Sequence, residues 1–152
     1  MKKLTFLNTV TLTLVYITMA LGILFIILLP RLLPYILFTP GLAPQGTPAY
    51  LIALICWILG ALLGLFILFT LTRMMHSMLP DPFIRQNALR LRNMGIAALI
   101  MGALTLVVLV LYFRPMLFLI LTAEVLCALF SLVLRGVFEK ALEYREENAL
   151  TI

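Results

Sequence analysis

Four stretches of about 20 predominantly apolar residues each, at positions 6–29, 50–71, 94–113 and 116–134, fill most of this chain, and Glu124 is the one acid or base inside them. A helix of ~20 residues rising ~1.5 Å per residue crosses the ~30 Å hydrocarbon core of a bilayer. The chain therefore reads as all-α: an integral membrane four-helix bundle forming a single transmembrane domain over residues 1–152. Composition supports this. Charged residues make up 11% of the sequence against 64% hydrophobic, whereas soluble domains carry ~25% charged residues. Lipid has to solvate most of the exterior, and no segment between the spans is long enough to bury a core of its own.

The net charge of +5 suggests nucleic acid until the bases are placed along the chain. Lys2 and Lys3 precede the first span, Arg73, Arg85, Arg90 and Arg92 lie between the second and third, and Arg135, Lys140 and Arg145 follow the fourth. Only Arg31 and Arg114 fall on the opposite side. By the positive-inside rule, both termini and the middle connection face the cytoplasm. The partners expected for these bases are anionic lipid headgroups, with no direct nucleic-acid role. Lys2 and Lys3 ahead of an apolar run imitate a signal peptide, but the run is too long and carries no small-x-small cleavage site, so an uncleaved first span is expected.

The outer connection holds Pro30, Pro34, Pro40, Pro44 and Pro48 with Gly41 and Gly46, a spacing that predicts a stiff, turn-rich link rather than continuous helix. Its apolar beginning, Leu32, Leu33, Tyr35, Ile36, Leu37 and Phe38, is expected to lie in the outer interface or to cap the bundle. The second outer turn, Phe113-Arg114-Pro115, is so short that spans three and four must be antiparallel neighbours.

On the cytoplasmic side, Asp81 suits an N-cap and Pro82 a first helical position. From there Ile84, Ala88, Leu91, Met94, Gly95 and Ala98 follow one face, with Arg85, Gln86, Arg90, Arg92 and Asn93 opposite. This predicts a cytoplasmic amphipathic segment over 81–93 leading into span three, with Arg85, Arg90 and Arg92 contacting a partner or lipid headgroups. A helical extension over 135–152 follows span four, acidic at Glu139, Glu143, Glu146 and Glu147, and an ion-paired contact with the arginines is open to it.

Inside the spans, Cys56, Gly60 and Gly64 form a small-residue stripe that predicts close helix packing, as do Gly95, Ala98 and Gly102 on span three and Ala123, Cys127 and Ser131 on span four. Thr11, Thr18 and Gly22 make a weaker stripe on span one. These stripes fit contacts within the chain or between copies, so a homo-oligomer stays open. Cys56 and Cys127 form no Cys-x-x-Cys pair and His76 has no second histidine, so no metal and no cofactor is expected.

Glu124 is the exception to plain spans. A charged residue near a helix centre costs ~2.5–3.5 kcal/mol on insertion scales and faces protein or water rather than lipid. Thr18, Trp57 and Thr105 fall at similar depth on the other spans, each able to hydrogen-bond it, Trp57 only as a donor. Together they make an intramembrane polar site, either a proton- or cation-handling group in a translocation path or a protonated acid that clips helices together.

The stretch Asp81-Pro82-Phe83-Ile84-Arg85-Gln86-Asn87-Ala88-Leu89-Arg90-Leu91-Arg92-Asn93-Met94-Gly95 resembles the Pro-Phe…Asn…Leu-Arg…Gly block of a bacterial family of small four-span membrane proteins, catalogued as domain of unknown function 2975. The ending, in which Val137-Phe138 leads through a charged helix to Glu146-Glu147 and Leu150-Thr151-Ile152, is similar to that family's second block. Gly136 departs from it, standing where relatives often carry an acid. The resemblance implies a multi-pass protein of the bacterial plasma membrane, often encoded beside a small helix-turn-helix regulator. It implies no reaction and lends Glu124 no role.

The reading that follows is a regulatory or scaffolding membrane protein that binds a cytoplasmic partner, such as a helix-turn-helix transcription regulator. The alternative is a small oligomeric transporter or channel using Glu124. Enzyme activity is not expected, because the chain offers one histidine and one intramembrane acid where a nucleophile–base set would be needed.

Overall fold

Every apolar stretch becomes a helix longer than the stretch itself. The computed structural model describes residues 2–37, 47–77 and 84–149, with α1 at Lys2–Leu37, α2 at Pro48–Ser77, α3 at Arg85–Leu111 and α4 at Pro115–Ala149. All four are long and apolar enough to cross a membrane. The protein is a multi-pass, all-helical membrane protein. Its exterior agrees: Phe6, Leu21, Ile27, Val110, Phe118 and Phe130 are each more than half exposed. A soluble monomer rarely tolerates contiguous apolar surface beyond a few hundred Å². In lipid such surface costs nothing.

The helices pack in chain order, α1 on α2, α2 on α3 and α3 on α4. Between α1 and α4 there is no close backbone approach among the described residues. The bundle is therefore open along one seam, and α3 is the most buried of the four. Antiparallel pairing sets the levels. Gly95 faces Ala128 and Leu132 of α4, and Gly102 faces Leu121 and Val125. Gly64 meets Met101 of α3, Gly22 meets Leu65 of α2, and Phe25 lies against Trp57. The turn between α3 and α4 is three residues, closed by Tyr112 N–H donating to the Val108 carbonyl at 2.8 Å and Leu117 N–H to the Arg114 carbonyl at 3.0 Å. Pro115 takes the first position of α4, where a missing N–H costs nothing.

The apolar beginning of the first connection buries Leu33 fully, in a core cluster with Tyr50, Ala53, Cys56, Val108 and Leu117, and leaves Tyr35 exposed. One expectation for this connection needs correction: Pro30 and Pro34 do not stop α1, which continues to Leu37. The physical reason is a replacement hydrogen bond. In an α-helix the N–H of residue 34 would serve the carbonyl of residue 30, and Pro34 has none. The buried Tyr50 hydroxyl donates to that same Pro30 carbonyl at 3.1 Å. A neighbouring helix thus supplies what the proline withholds, which is how spans tolerate proline. Tyr50→Phe should lower stability by about 1 kcal/mol, measured by unfolding in mixed detergent micelles, while the conservative size leaves the packing of Leu33 unchanged. The later prolines and glycines of that link, Pro40, Gly41, Pro44 and Gly46, lie outside the described residues, as does Phe38.

At the other end of the molecule α3 starts later than expected. Ile84 is its N-cap, extended at φ −111° and ψ 144° and with no side-chain cap. Asp81, Pro82 and Phe83 lie outside the described residues. Ala88, Leu91, Met94, Gly95 and Ala98 are buried, whereas Arg85, Gln86, Arg92 and Asn93 are exposed. α4 is 35 residues long, about 52 Å at ~1.5 Å per residue, and extends beyond its span. Arg135 and Glu139, one turn apart on it, form an ion pair at 2.9 Å. Both side chains are substantially exposed, so the pair is worth under ~1 kcal/mol. The terminal residues Leu150, Thr151 and Ile152 lie outside the described residues.

Candidate functional site

Two polar constellations stand out, one in the apolar interior and one where α2 ends and α3 begins. The interior one follows from the open seam. Because α1 and α4 do not close on each other, all four helices line a cavity of about 790 Å³. Its walls are apolar except for Thr18 on α1, Cys56 and Trp57 on α2, Thr105 on α3, and Glu124 and Cys127 on α4. The register of the helices thus brings Glu124, Trp57, Thr18 and Thr105 to one chamber.

Their hydrogen bonds differ from one another. The Thr105 side chain hydrogen-bonds Glu124. Thr18 turns inward on its own helix, donating to the Leu14 carbonyl at 2.8 Å. That is the ordinary resting place of a threonine hydroxyl in a lipid-exposed helix, and Thr13, Thr70, Thr72 and Thr122 do the same on their helices. The indole N–H of Trp57 and Oε2 of Glu124 are both buried from solvent and have no protein hydrogen-bond partner. Trp57 is instead held by ring packing, its centroid 6.3 Å from that of Phe25 with the planes tilted by 54°. Of the three partners proposed for Glu124 from depth, the structure provides one, Thr105.

The small-residue stripes divide into two kinds. Gly95 and Gly102 pack: a Cβ on Gly95 would lie 2.9 Å from Leu132 and 3.3 Å from the Ala128 carbonyl, and one on Gly102 would lie 3.5 Å from Leu121. Gly60 and Gly64 are not a close-packed face within the chain. A Cβ on Gly60 would meet nothing within 4 Å, and one on Gly64 only the Met101 methyl at 3.9 Å. Together with Cys56, which is buried in the core cluster at one end, they line the cavity. On α4 the packed face runs through Leu117, Leu121, Ala128 and Leu132 rather than Ala123, Cys127 and Ser131. Ala123 and Cys127 look into the cavity. Close approach is achieved by a glycine receiving a leucine, so a stripe of small residues on both helices is not required, and on α2 and α4 the missing side-chain volume makes space instead.

The second constellation was not visible in the sequence. Asn87 is fully buried, and its Oδ1 lies 2.8 Å from the Ser77 hydroxyl and 3.0 Å from Nη1 of Arg90. Arg90 Nη1 also donates to Ser77 Oγ at 2.9 Å and to the Arg73 carbonyl at 3.2 Å, and its Nη2 approaches Gln86 Oε1 at 3.5 Å. The Ser77 hydroxyl is also 2.8 Å from the Met74 carbonyl. These contacts gather at the last turn of α2, whose dipole favours a cation. The guanidinium of Arg90 therefore latches the end of α2 to the start of α3, while Arg85 and Arg92 stay exposed. Around it, Arg73 lies over the Phe69 ring at 5.0 Å, and His76 pairs its Nδ1 with the Thr72 carbonyl at 2.8 Å. The only hint in the sequence is that Asn87 interrupts an otherwise apolar face three residues before Arg90. No family model, curated protein or solved structure matches this chain.

Proposed function

We propose that this protein is a regulatory or scaffolding component of a bacterial plasma membrane, with both termini cytoplasmic, that docks a soluble partner such as a helix-turn-helix transcription regulator. The observation that carries this reading is the arrangement at one end of the bundle. Arg85 and Arg92 are exposed on a helix start held by the Arg90 latch, at the same end from which the acidic continuation of α4 extends. A rigid basic surface beside a protruding helix offers a partner fixed charges at low ordering cost. The uneven distribution of bases supports placing that end in the cytoplasm, and the resemblance to domain of unknown function 2975 agrees with it.

The test uses Arg85→Gln with Arg92→Gln and leaves Arg90 intact. A photocrosslinking residue placed at Gln86 in native membranes should capture a soluble protein, and the double substitution should reduce that adduct at least tenfold. Adducts to lipid or to the chain itself alone would refute docking. Accessibility of a cysteine at position 144 to an impermeant reagent from outside intact cells would refute the orientation.

A second reading, a small oligomeric transporter or channel using Glu124, is supported by the chamber that holds this acid. Cation flux into proteoliposomes that is abolished by Glu124→Gln would establish it, and equal flux in the variant would remove Glu124 from the path.

A further inference from the structure

We infer that the cleft between α1 and α4 is a binding site for a lipophilic ammonium, its hydrocarbon body held by the chamber walls and its charge by the Glu124 carboxyl group. Size fits such an occupant: the cleft holds about 790 Å³, within the ~300–1,000 Å³ typical of small-molecule ligand sites.

Hydrogen-bond accounting then selects the chemistry. Thr18 is committed to Leu14 and Thr105 to Glu124. What remains facing the cleft is one buried acceptor, Glu124 Oε2, and one buried donor, Trp57 Nε1. An acyl chain satisfies neither and leaves both polar atoms buried and unmet, at a cost of ~1–3 kcal/mol each. An ammonium N–H meets Oε2 and its charge complements the one group lining the cleft that forms a carboxylate. The tilted Phe25–Trp57 pair adds an aromatic wall whose faces attract cations. A ligand carrying a hydroxyl or ether oxygen beside its nitrogen would also take up the indole N–H. The unclosed α1–α4 seam gives entry sideways from the bilayer, where apolar amines accumulate. The missing side chain of Gly60 supplies part of the room.

Binding is a weaker requirement than transport, so failure of the flux experiment leaves this inference standing, and the Arg85→Gln, Arg92→Gln variant should bind like the parent. Trp57 is the chain's single tryptophan, and its emission reports occupancy directly. The full chain in phosphatidylcholine nanodiscs is titrated with dodecylamine and, in parallel, with dodecanol. A saturable change in Trp57 emission is expected with the amine and only linear partitioning with the alcohol. Glu124→Gln should weaken amine binding at least tenfold. Gly60→Leu, which grows into open space, should abolish saturation while helicity and thermal unfolding match the parent. Identical titrations for amine and alcohol, unsaturable amine titration in the parent, or equal affinity in Glu124→Gln would overturn the inference.

Discussion

Arg90→Ala should destabilise the folded protein by about 2 kcal/mol, whereas Arg85→Ala and Arg92→Ala should each stay within ~0.5 kcal/mol of the parent. The three arginines share one short segment, but their environments differ. Arg90 Nη1 donates to Arg73, Ser77 and Asn87 at 2.9–3.2 Å; the other two side chains are exposed. Removing the guanidinium takes a charge-assisted donor from the C-terminal turn of α2 and from the carbonyl oxygen of a fully buried asparagine. Reversible unfolding in mixed micelles measures the difference. Lysine at position 90 should recover part of the loss, because its ammonium carries donors for the acceptors that Nη1 meets but has no second nitrogen for Gln86 Oε1. Equal effects at all three positions would mean that Arg90 is not a latch. The result also governs how the docking surface is tested, since a substitution set that includes Arg90 would mix lost stability with lost binding.

Gly95→Val should cost about 3 kcal/mol, while Gly60→Ala should be neutral or stabilising by up to ~1 kcal/mol. Both glycines sit in small-residue stripes, and from the stripes alone the two substitutions would be expected to cost the same. At Gly95 the new Cβ meets Leu132 at 2.9 Å and the Ala128 backbone carbonyl at 3.3 Å. The leucine can rotate away, but the carbonyl cannot, so α3 and α4 must separate along their longest contact. At Gly60 the Cβ enters the cavity and touches nothing within 4 Å, so removing glycine's backbone freedom is the only change that counts. The same unfolding assay distinguishes them, and similar losses at both positions would show that the α2 stripe packs after all.

The interior site was partly legible. Counting residues inward from the span ends is enough to bring Glu124, Trp57, Thr18 and Thr105 to one level, because helical rise is constant. Counting does not give rotation, hence Thr18 bonds its own helix and Trp57 Nε1 has no protein partner. The latch was less legible still. Asn87 and Ser77 look like ordinary polar residues near a connection, and their importance comes from the antiparallel register of α2 and α3, a long-range property.

Length and hydropathy thus determined four helices long and apolar enough to cross a membrane, since a helix satisfies its backbone hydrogen bonds within one segment. The tertiary structure alone decided that α1 runs through two prolines, that Gly60 faces open space while Gly95 and Gly102 pack, and that the bundle stays unclosed between α1 and α4. Each of these depends on which neighbour stands opposite a given residue. A hydroxyl from α2 completes the proline's helix, and a leucine from α4 fills the groove left by a glycine. No residue carries that information by itself.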